Sequence, residues 1–228
     1  MVSVNSFNKV ILTGDGSNSI FSEKFNCTYH SVHGAIQESE HVFIHSGLDH
    51  LVKNTDKTRI NILEFGFGTG LNALLSLKYS VTNKITINYS TIEAYPLPDD
   101  LVSQLNFITE DTNNAFKDEF YVMHNSNLLN IPLRDSFTFS KFLTKFEDFS
   151  SNQKFDIIFF DAFDPDEQSH LWERPFLDKI PLLLVEKGIL VTYSVKGSFK
   201  RALRELGFKV SKLPGPPGKR EILRGKLN

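Results

Sequence analysis

This 228-residue chain predicts an α/β fold with a mostly parallel sheet, and three features carry the prediction. Residues 60–65 (INILEF) form a short apolar, β-branched run that leads straight into a glycine cluster and then a helical pattern. Residues 155–161 (FDIIFFD) are apolar on both faces, as strands inside a parallel sheet are. Strand-like and helix-like stretches alternate around these two, which implies a sheet covered by helices on both sides.

Taken in order, residues 9–22 show short apolar runs around Gly14-Asp15-Gly16 and predict an N-terminal hairpin. Residues 34–52 place Ile36, Val42, Phe43, Leu48 and Leu51 at helical spacing, interrupted at Gly47. The first core strand, 60–65, is followed by a helix over 71–79, and 85–93 (ITINYSTIE) is the second strand. Residues 97–149 predict two or three helices around a short strand near 121–124. After the 155–161 strand come a helix over 172–185 that Pro181 bends, a strand over 189–193 and a helix over 198–206 stopped by Gly207. Residues 208–213 and 221–224 close the sheet, pairing antiparallel around the turn 214–218. The expected architecture is a Rossmann-like, seven-stranded, mostly parallel sheet. Residues 1–58 form an N-terminal extension packed on a core of residues 59–228.

Composition narrows the setting. At 40% hydrophobic residues the chain can bury a sizeable core, and no apolar run reaches the length of a membrane span. The first ten residues show neither a basic start nor an apolar stretch, and Cys27 is the single cysteine, so the expected location is cytoplasmic. The net charge of −2 hides a split. From Lys196 onward ten Lys/Arg face only Glu205 and Glu221, so that segment carries +8 against −10 for the rest. A basic face for a polyanion and a solvated helix with terminal strands both fit that pattern. His30, His33, His41, His45 and His50 lie near Cys27 and Glu38. Without an HExxH pattern or paired cysteines they are read as surface and packing residues, and no metal is expected.

The chemistry lies in two strand-end segments. Glu64-Phe65-Gly66-Phe67-Gly68-Thr69-Gly70 occupies the first strand-to-helix turn, where glycines let the backbone approach a ligand. The Gly-x-Gly-x-Gly spacing, with Glu64 two positions ahead to hold a cationic amino-acid portion, favours S-adenosylmethionine over a dinucleotide. The missing Lys-Ser/Thr pair argues against a P-loop. Glu93, 23 residues beyond Gly70, ends the second strand where an acid accepts hydrogen bonds from ribose hydroxyls. Asp135, with Ser136, is read as facing the adenine. Asp161 ends the clearest strand, at the sheet edge that holds ligands in open α/β folds, and Phe163 follows it. Outright deprotonation of an alkylammonium by Asp161 is uphill by roughly 9 kcal/mol from reference values of about 3.9 and about 10.4. The expected role is therefore to accept an amine N–H and aim the nitrogen lone pair at the methyl group.

Together these residues resemble the tRNA 5-methylaminomethyl-2-thiouridine methyltransferases, represented by the methyltransferase domain of bifunctional MnmC and the stand-alone MnmD type. The resemblance runs over residues 25–227. It rests on Tyr29-His30-Ser31 with Gly34, Glu38, Ser39, Val42 and Phe43; on Gly66-Phe67-Gly68-Thr69-Gly70-Leu71-Asn72; on Glu93 with Pro96-Leu97; on the Asp161 segment leading to Trp172; and on Lys219-Arg220-Glu221 followed by Gly225. It implies a class I S-adenosylmethionine-dependent methyltransferase that methylates 5-aminomethyl-2-thiouridine at the tRNA wobble position. Asp161 is then the substrate-facing carboxylate. The 66–70 loop and Asn72 bind the cofactor, and Tyr29 and Ser31 lie near cofactor or substrate. The partner is the anticodon stem-loop, with the base stacked on Phe163, Trp172 or Tyr193 and phosphates met by Lys219 and Arg220. The family reads Asp-Gly-Phe-Ala-Pro where this chain has Asp161-Ala162-Phe163-Asp164-Pro165, and commonly Gly-Asp where this chain has Arg134-Asp135. No flavin-binding (FAD) oxidase domain is expected in a chain of this length. A transferase acting on a small-molecule or protein amine, and a non-catalytic RNA- or nucleotide-binding module of the same fold, are the competing readings.

Overall fold

The structure, a computed structural model, describes residues 8–108, 114–125 and 127–228. The start of the predicted N-terminal extension, and part of the segment predicted as helices over 97–149, lie outside the described residues. The chain opens with β1 (Lys9–Leu12), β2 (Asn18–Ser22) and β3 (Cys27–Thr28), which form a small antiparallel sheet. A helical run follows, made of α1 (Ala35–Ser39), a π-helical segment (Glu40–Asp49) and α2 (His50–Lys53). Gly47 is not a break in that run. A Cβ there would stand 3.0 Å from Val191 and 3.1 Å from Ile157, so the glycine lets the helix lie against the sheet.

The core follows the predicted alternation. It contains β4 (Arg59–Phe65), α3 (Leu71–Asn83), β5 (Thr86–Glu93), α4 (Asp99–Val102), α5 (Lys117–His124), β6 (Leu128–Arg134) and β7 (Phe137–Leu143). Then come β8 (Phe155–Phe160), α6 (Ile180–Leu183), β9 (Leu184–Thr192), α7 (Gly197–Glu205), β10 (Phe208–Pro214) and β11 (Glu221–Leu227). The sheet has eight strands in the order β10-β11-β9-β8-β4-β5-β7-β6. Strands β9, β8, β4, β5 and β7 run parallel, and β11 pairs antiparallel with β9 and β10. The strand beyond the expected seven is β6, an antiparallel edge strand joined to β7 by a tight turn.

Two expected elements differ. Residues 121–124 belong to α5 rather than to a strand, and 172–185 do not form one helix. Pro175 and Pro181 break that stretch into 3-10 turns and the four-residue α6, and β9 starts at Leu184, before Gly188. Apolar residues pack on both faces of the sheet, one layer centred on Tyr89, Phe137, Phe139 and Phe159, the other on Phe65, Phe160, Trp172 and Phe199. Among the described residues no helix is long and apolar enough to cross a membrane.

Candidate active site

From β4 the chain winds outward through β5 to β7, then returns to the centre as β8, so the connections leave β4 and β8 on opposite sides. Such a switch point opens a crevice at the carboxyl ends of the two strands. Here it is a cavity of about 600 Å³. The glycine loop after β4 and Asp161 after β8 meet across it. The Asp161 N–H donates to the Phe65 carbonyl at 3.0 Å, continuing the strand pairing. Gly66 has φ +98°, and a Cβ on it would fall on the Asp161 carbonyl oxygen. Only glycine permits this approach.

Behind the cavity wall three polar side chains form a chain. The Asn72 amide donates to Asp161 Oδ2 at 2.8 Å and to Glu64 Oε1 at 3.1 Å, while Glu64 Oε2 accepts from the Thr91 hydroxyl at 2.7 Å. Burial raises the Glu64 carboxyl well above the usual carboxylate range, only partly offset by these donors. Asp161 is pushed up to about 8, by burial first and by the negative charge of Glu38 second, against the opposing effects of Asn72 and Lys219. Asp161 therefore gives up its proton at a higher pH than an ordinary carboxyl does.

The opposite wall comes from the N-terminal segment and the end of β5. Glu93 Oε2 accepts the Gly68 N–H at 2.9 Å and Oε1 the Tyr95 N–H at 2.6 Å, so this acid is tied to the glycine loop. Tyr29 lies so close to Gly68 that a Cβ there would stand 2.9 Å from its ring. The Ser31 N–H donates to Glu38 Oε2 at 2.7 Å, and Glu38 Oε1 pairs with the Lys219 ammonium at 2.6 Å. At the mouth Phe163 stacks on Phe25 with centroids 4.4 Å apart and meets Tyr29 edge-on at 4.9 Å. This gives the entrance an aromatic rim.

Of the residues singled out in the sequence, Asp161, Asn72, Gly66, Phe67, Gly68, Glu93, Tyr29, Ser31, Phe163 and Lys219 line this cavity. The others are elsewhere. Asp135 sits in the β6–β7 turn, and the carbonyl of neighbouring Ser136 accepts the Ile87 N–H near the start of β5. That is the amino end of the parallel strands, opposite the cavity, so contact with a ligand at the carboxyl end is ruled out. The corresponding place after β7 belongs to Lys145, Phe146 and Glu147, which do line the cavity. Glu64 is fully buried and reaches the site only through Asn72. Gly70, with φ +75°, starts α3 against the Phe67 ring, which itself packs on His124 and Phe139 in the core.

Trp172 is 1% exposed and packs on Phe160 and Phe199. No base can stack on it. Its indole N–H instead donates to the Phe163 carbonyl at 2.8 Å and so holds the rim residue in place. Lys219 points into the cavity, not out toward phosphates, whereas Arg220 is exposed. The predicted histidine roles hold different particulars: His30 is buried and bonded to the Thr69 hydroxyl at 2.7 Å, and His41 reaches the Pro214 carbonyl at 2.7 Å. Among the described residues no three His, Cys, Asp or Glu side chains converge on a metal position. Glu38 is a site residue that residue-level reading missed, and Tyr193, a stacking candidate from the sequence, lines the cavity with its ring against the Lys219 ammonium. Glu38 enters the sequence reading only as part of a family pattern and beside the histidine cluster.

The residues fit S-adenosylmethionine. Gly66 and Gly68 leave a cradle that side chains would fill, and Asn72 Oδ1 is a buried acceptor without a partner beside the cavity, suited to a cofactor ammonium. The volume lies in the range that encloses most of a ligand of this size.

The chain is similar to known proteins along almost its whole length. Residues 117–228 match the model of a family described as S-adenosyl-L-methionine-dependent methyltransferase. The tRNA 5-methylaminomethyl-2-thiouridine biosynthesis bifunctional protein MnmC of Campylobacter hominis is 28% identical over 92% of the chain and 31% of its own length. The protein of the same name from Leptospira interrogans is 29% identical over 91% of the chain and 33% of its own length. The chain thus spans about a third of the curated relatives it matches. The crystal structure of MNMC2 from Aquifex aeolicus superposes with a TM-score of 0.81 at 27% identity, covering 99% of this chain and 72% of that one.

Proposed function

We propose that this chain, which is similar to S-adenosyl-L-methionine-dependent methyltransferases and to MnmC, methylates the exocyclic amine of 5-aminomethyl-2-thiouridine at the wobble position of tRNA, forming 5-methylaminomethyl-2-thiouridine. The observation that carries this reading is Asp161. It is a carboxyl at the switch point, held by Asn72 and raised to about 8, beside a glycine cradle and beneath an aromatic rim.

The cofactor supplies a methyl group on a cationic sulfur. Everything else falls to the protein. Glu93 and the 66–68 backbone hold the nucleoside portion, with Tyr95 and Phe146 as walls for the adenine. Asn72 Oδ1 takes the amino-acid end, and Tyr29 and Ser31 close it off. Asp161 accepts an N–H of the acceptor amine, and Phe163 with Phe25 stacks the base that enters the cavity.

The raised Asp161 also changes what that residue can do. Against an amine near 10.4, a carboxyl near 8 leaves a proton-transfer gap of at least about 3 kcal/mol before the cofactor charge acts on it, smaller than the roughly 9 of an ordinary Asp. Asp161 is thereby suited both to relieve the amine of a proton and to orient the lone pair. A fixed charge there also favours the positive charge that develops on nitrogen during transfer.

We read residues 1–58 as an extension serving the 59–228 core, since the cavity takes Tyr29, Ser31 and Glu38 from the first and the rest from the second. A tRNA substrate places the protein in the cytoplasm. Arg220 is our candidate phosphate contact: Arg220→Ala weakens tRNA binding a few-fold and lowers the slope of log Kd against log salt by about 1. An unchanged slope in a filter-binding series moves the RNA surface elsewhere.

The function itself is tested by incubating the protein with labelled cofactor and tRNA bearing 5-aminomethyl-2-thiouridine, then identifying nucleosides by mass. Label in the methylaminomethyl nucleoside is the expected result. Label that enters nuclease-treated pools or proteins, and not intact tRNA, overturns the tRNA assignment in favour of another amine.

A further inference from the structure

We propose that Lys219 reads the acceptor base, donating a hydrogen bond to the ring carbonyl next to the carbon that bears the amine, with Glu38 and Tyr193 holding its ammonium in place. This rests on the function proposed above and names a specificity residue within it.

The position of Lys219 is heavily determined. It follows Gly218, whose φ of +84° and contact with the His33 ring press the β10–β11 turn against the N-terminal segment. The Lys219 N–H donates to the Pro216 carbonyl at 2.9 Å, and Gly215 donates to the Arg220 carbonyl at 3.0 Å, closing the turn. At the far end of the side chain Glu38 Oε1 lies 2.6 Å from the ammonium, and the centre of the Tyr193 ring lies 4.0 Å from it. Tyr193 in turn donates its hydroxyl to the Ala162 carbonyl at 2.8 Å, and Ala162 follows Asp161 directly. One tyrosine therefore sets the distance between the lysine and the substrate-facing carboxylate.

An ammonium has three N–H donors. In this arrangement the ammonium forms an ion pair with Glu38 and the ring of Tyr193 covers one side, and the residue lines the cavity with its side chain 30% exposed. A donor remains for a ligand. Asp161 lines the same cavity and, on the proposed function, takes the amine, so the group left for Lys219 is an acceptor close to the aminomethyl carbon. In a 5-substituted uridine that group is the carbonyl oxygen at C4, an acceptor. The pairing of acceptor-type Asp161 with donor-type Lys219 matches an amine and a carbonyl on adjacent ring carbons. Glu38 is needed because its other oxygen, bonded to the Ser31 N–H, fixes its own orientation and with it the place of the ammonium it pairs with.

The test compares two RNA stem-loops, one carrying 5-aminomethyl-2-thiouridine and one carrying the 5-aminomethylpyrimidine-2-thione nucleotide, which lacks the C4 oxygen. Native protein is expected to favour the first by about 30-fold in kcat/KM, the scale of one hydrogen bond from a charged donor. Lys219→Met is expected to erase that preference, losing activity on the uridine and little on the analogue, with S-adenosylhomocysteine affinity unchanged. Glu38→Gln, which keeps the shape and the Ser31 bond, should fall between native and Lys219→Met. Equal losses on both RNAs, an unaltered preference, or a loss confined to cofactor affinity overturns the inference, the last pointing to the cofactor carboxylate instead. Failure of native protein to methylate either RNA overturns the proposed function and this inference with it.

Discussion

Replacing Asp161 by Ala is expected to lower single-turnover methyl transfer by at least about two powers of ten, while S-adenosylmethionine affinity at pH 6.5 changes by less than about five-fold. The pH is chosen on physical grounds. Below about 8 the ligand-free protein keeps Asp161 protonated, so native protein and variant both present an uncharged group to the incoming cofactor. The chemistry requires the ionised form. In the loaded complex the cationic cofactor lowers the carboxyl below its ligand-free value. The native transfer rate should therefore rise with pH through an ionisation below about 8 and then level, and Asp161→Asn should lack that limb.

A second consequence has the opposite sign. A carboxyl held near 8 in the folded protein and near 4 in the unfolded chain binds more protons when folded throughout that interval, so its contribution to stability declines as pH rises from 4 to 8. Asp161→Asn should accordingly melt above native protein at pH 9, with a smaller gain at pH 5. A variant that is more stable and inactive identifies a carboxylate kept in an unfavourable place for catalysis. Equal transfer rates for Asp161→Ala and native protein remove Asp161 from the mechanism.

The parts of this site that could be read from the sequence are those where backbone conformation and ligand contact coincide. The 66–70 glycines, the apolar run of β8 and the acid ending β5 announce themselves because each is both a structural necessity and a binding feature. The β6–β7 hairpin did not. Lys141, which is 1% exposed, interrupts the apolar pattern of β7. Its ammonium is satisfied by the Met123 carbonyl at 2.8 Å, a partner far away in sequence. On the β6 side Pro132 and the left-handed Asn130 disturb the alternation, and the register shifts there. Without the hairpin, nothing in the sequence shows that Asp135 lies at the amino end of the parallel strands. Trp172 and Lys219 failed differently. An aromatic after a strand-end motif and a lysine in a basic segment have several physical uses, and only packing distinguishes them. Trp172 turned inward to hold the Phe163 carbonyl, and Lys219 turned toward Glu38. In both cases the interaction joins segments more than a hundred residues apart or crosses a turn whose direction the sequence does not state.

Gly66→Ala is the substitution expected to harm the protein most. Two effects combine at this position. A φ of +98° is unfavourable for any residue with a Cβ, which alone costs on the order of 1–3 kcal/mol. The added methyl would also fall on the Asp161 carbonyl oxygen, a backbone atom that cannot swing aside. Relief requires β4 and β8 to separate at the place where the Asp161 N–H meets the Phe65 carbonyl. The same movement widens the crevice and displaces Asp161, so cofactor affinity should fall at least about 100-fold and methyl transfer should be lost.

Gly207→Ala separates the two effects. Gly207 has φ +91°, but a Cβ there meets nothing within 4 Å, so this variant bears only the conformational cost. It should lose stability comparable to the φ term and bind S-adenosylmethionine like native protein. Thermal melting with calorimetric titration of both variants distinguishes the cases. If Gly66→Ala binds cofactor as well as Gly207→Ala does, the close contact between the glycine turn and the Asp161 backbone is not what shapes the cofactor cradle.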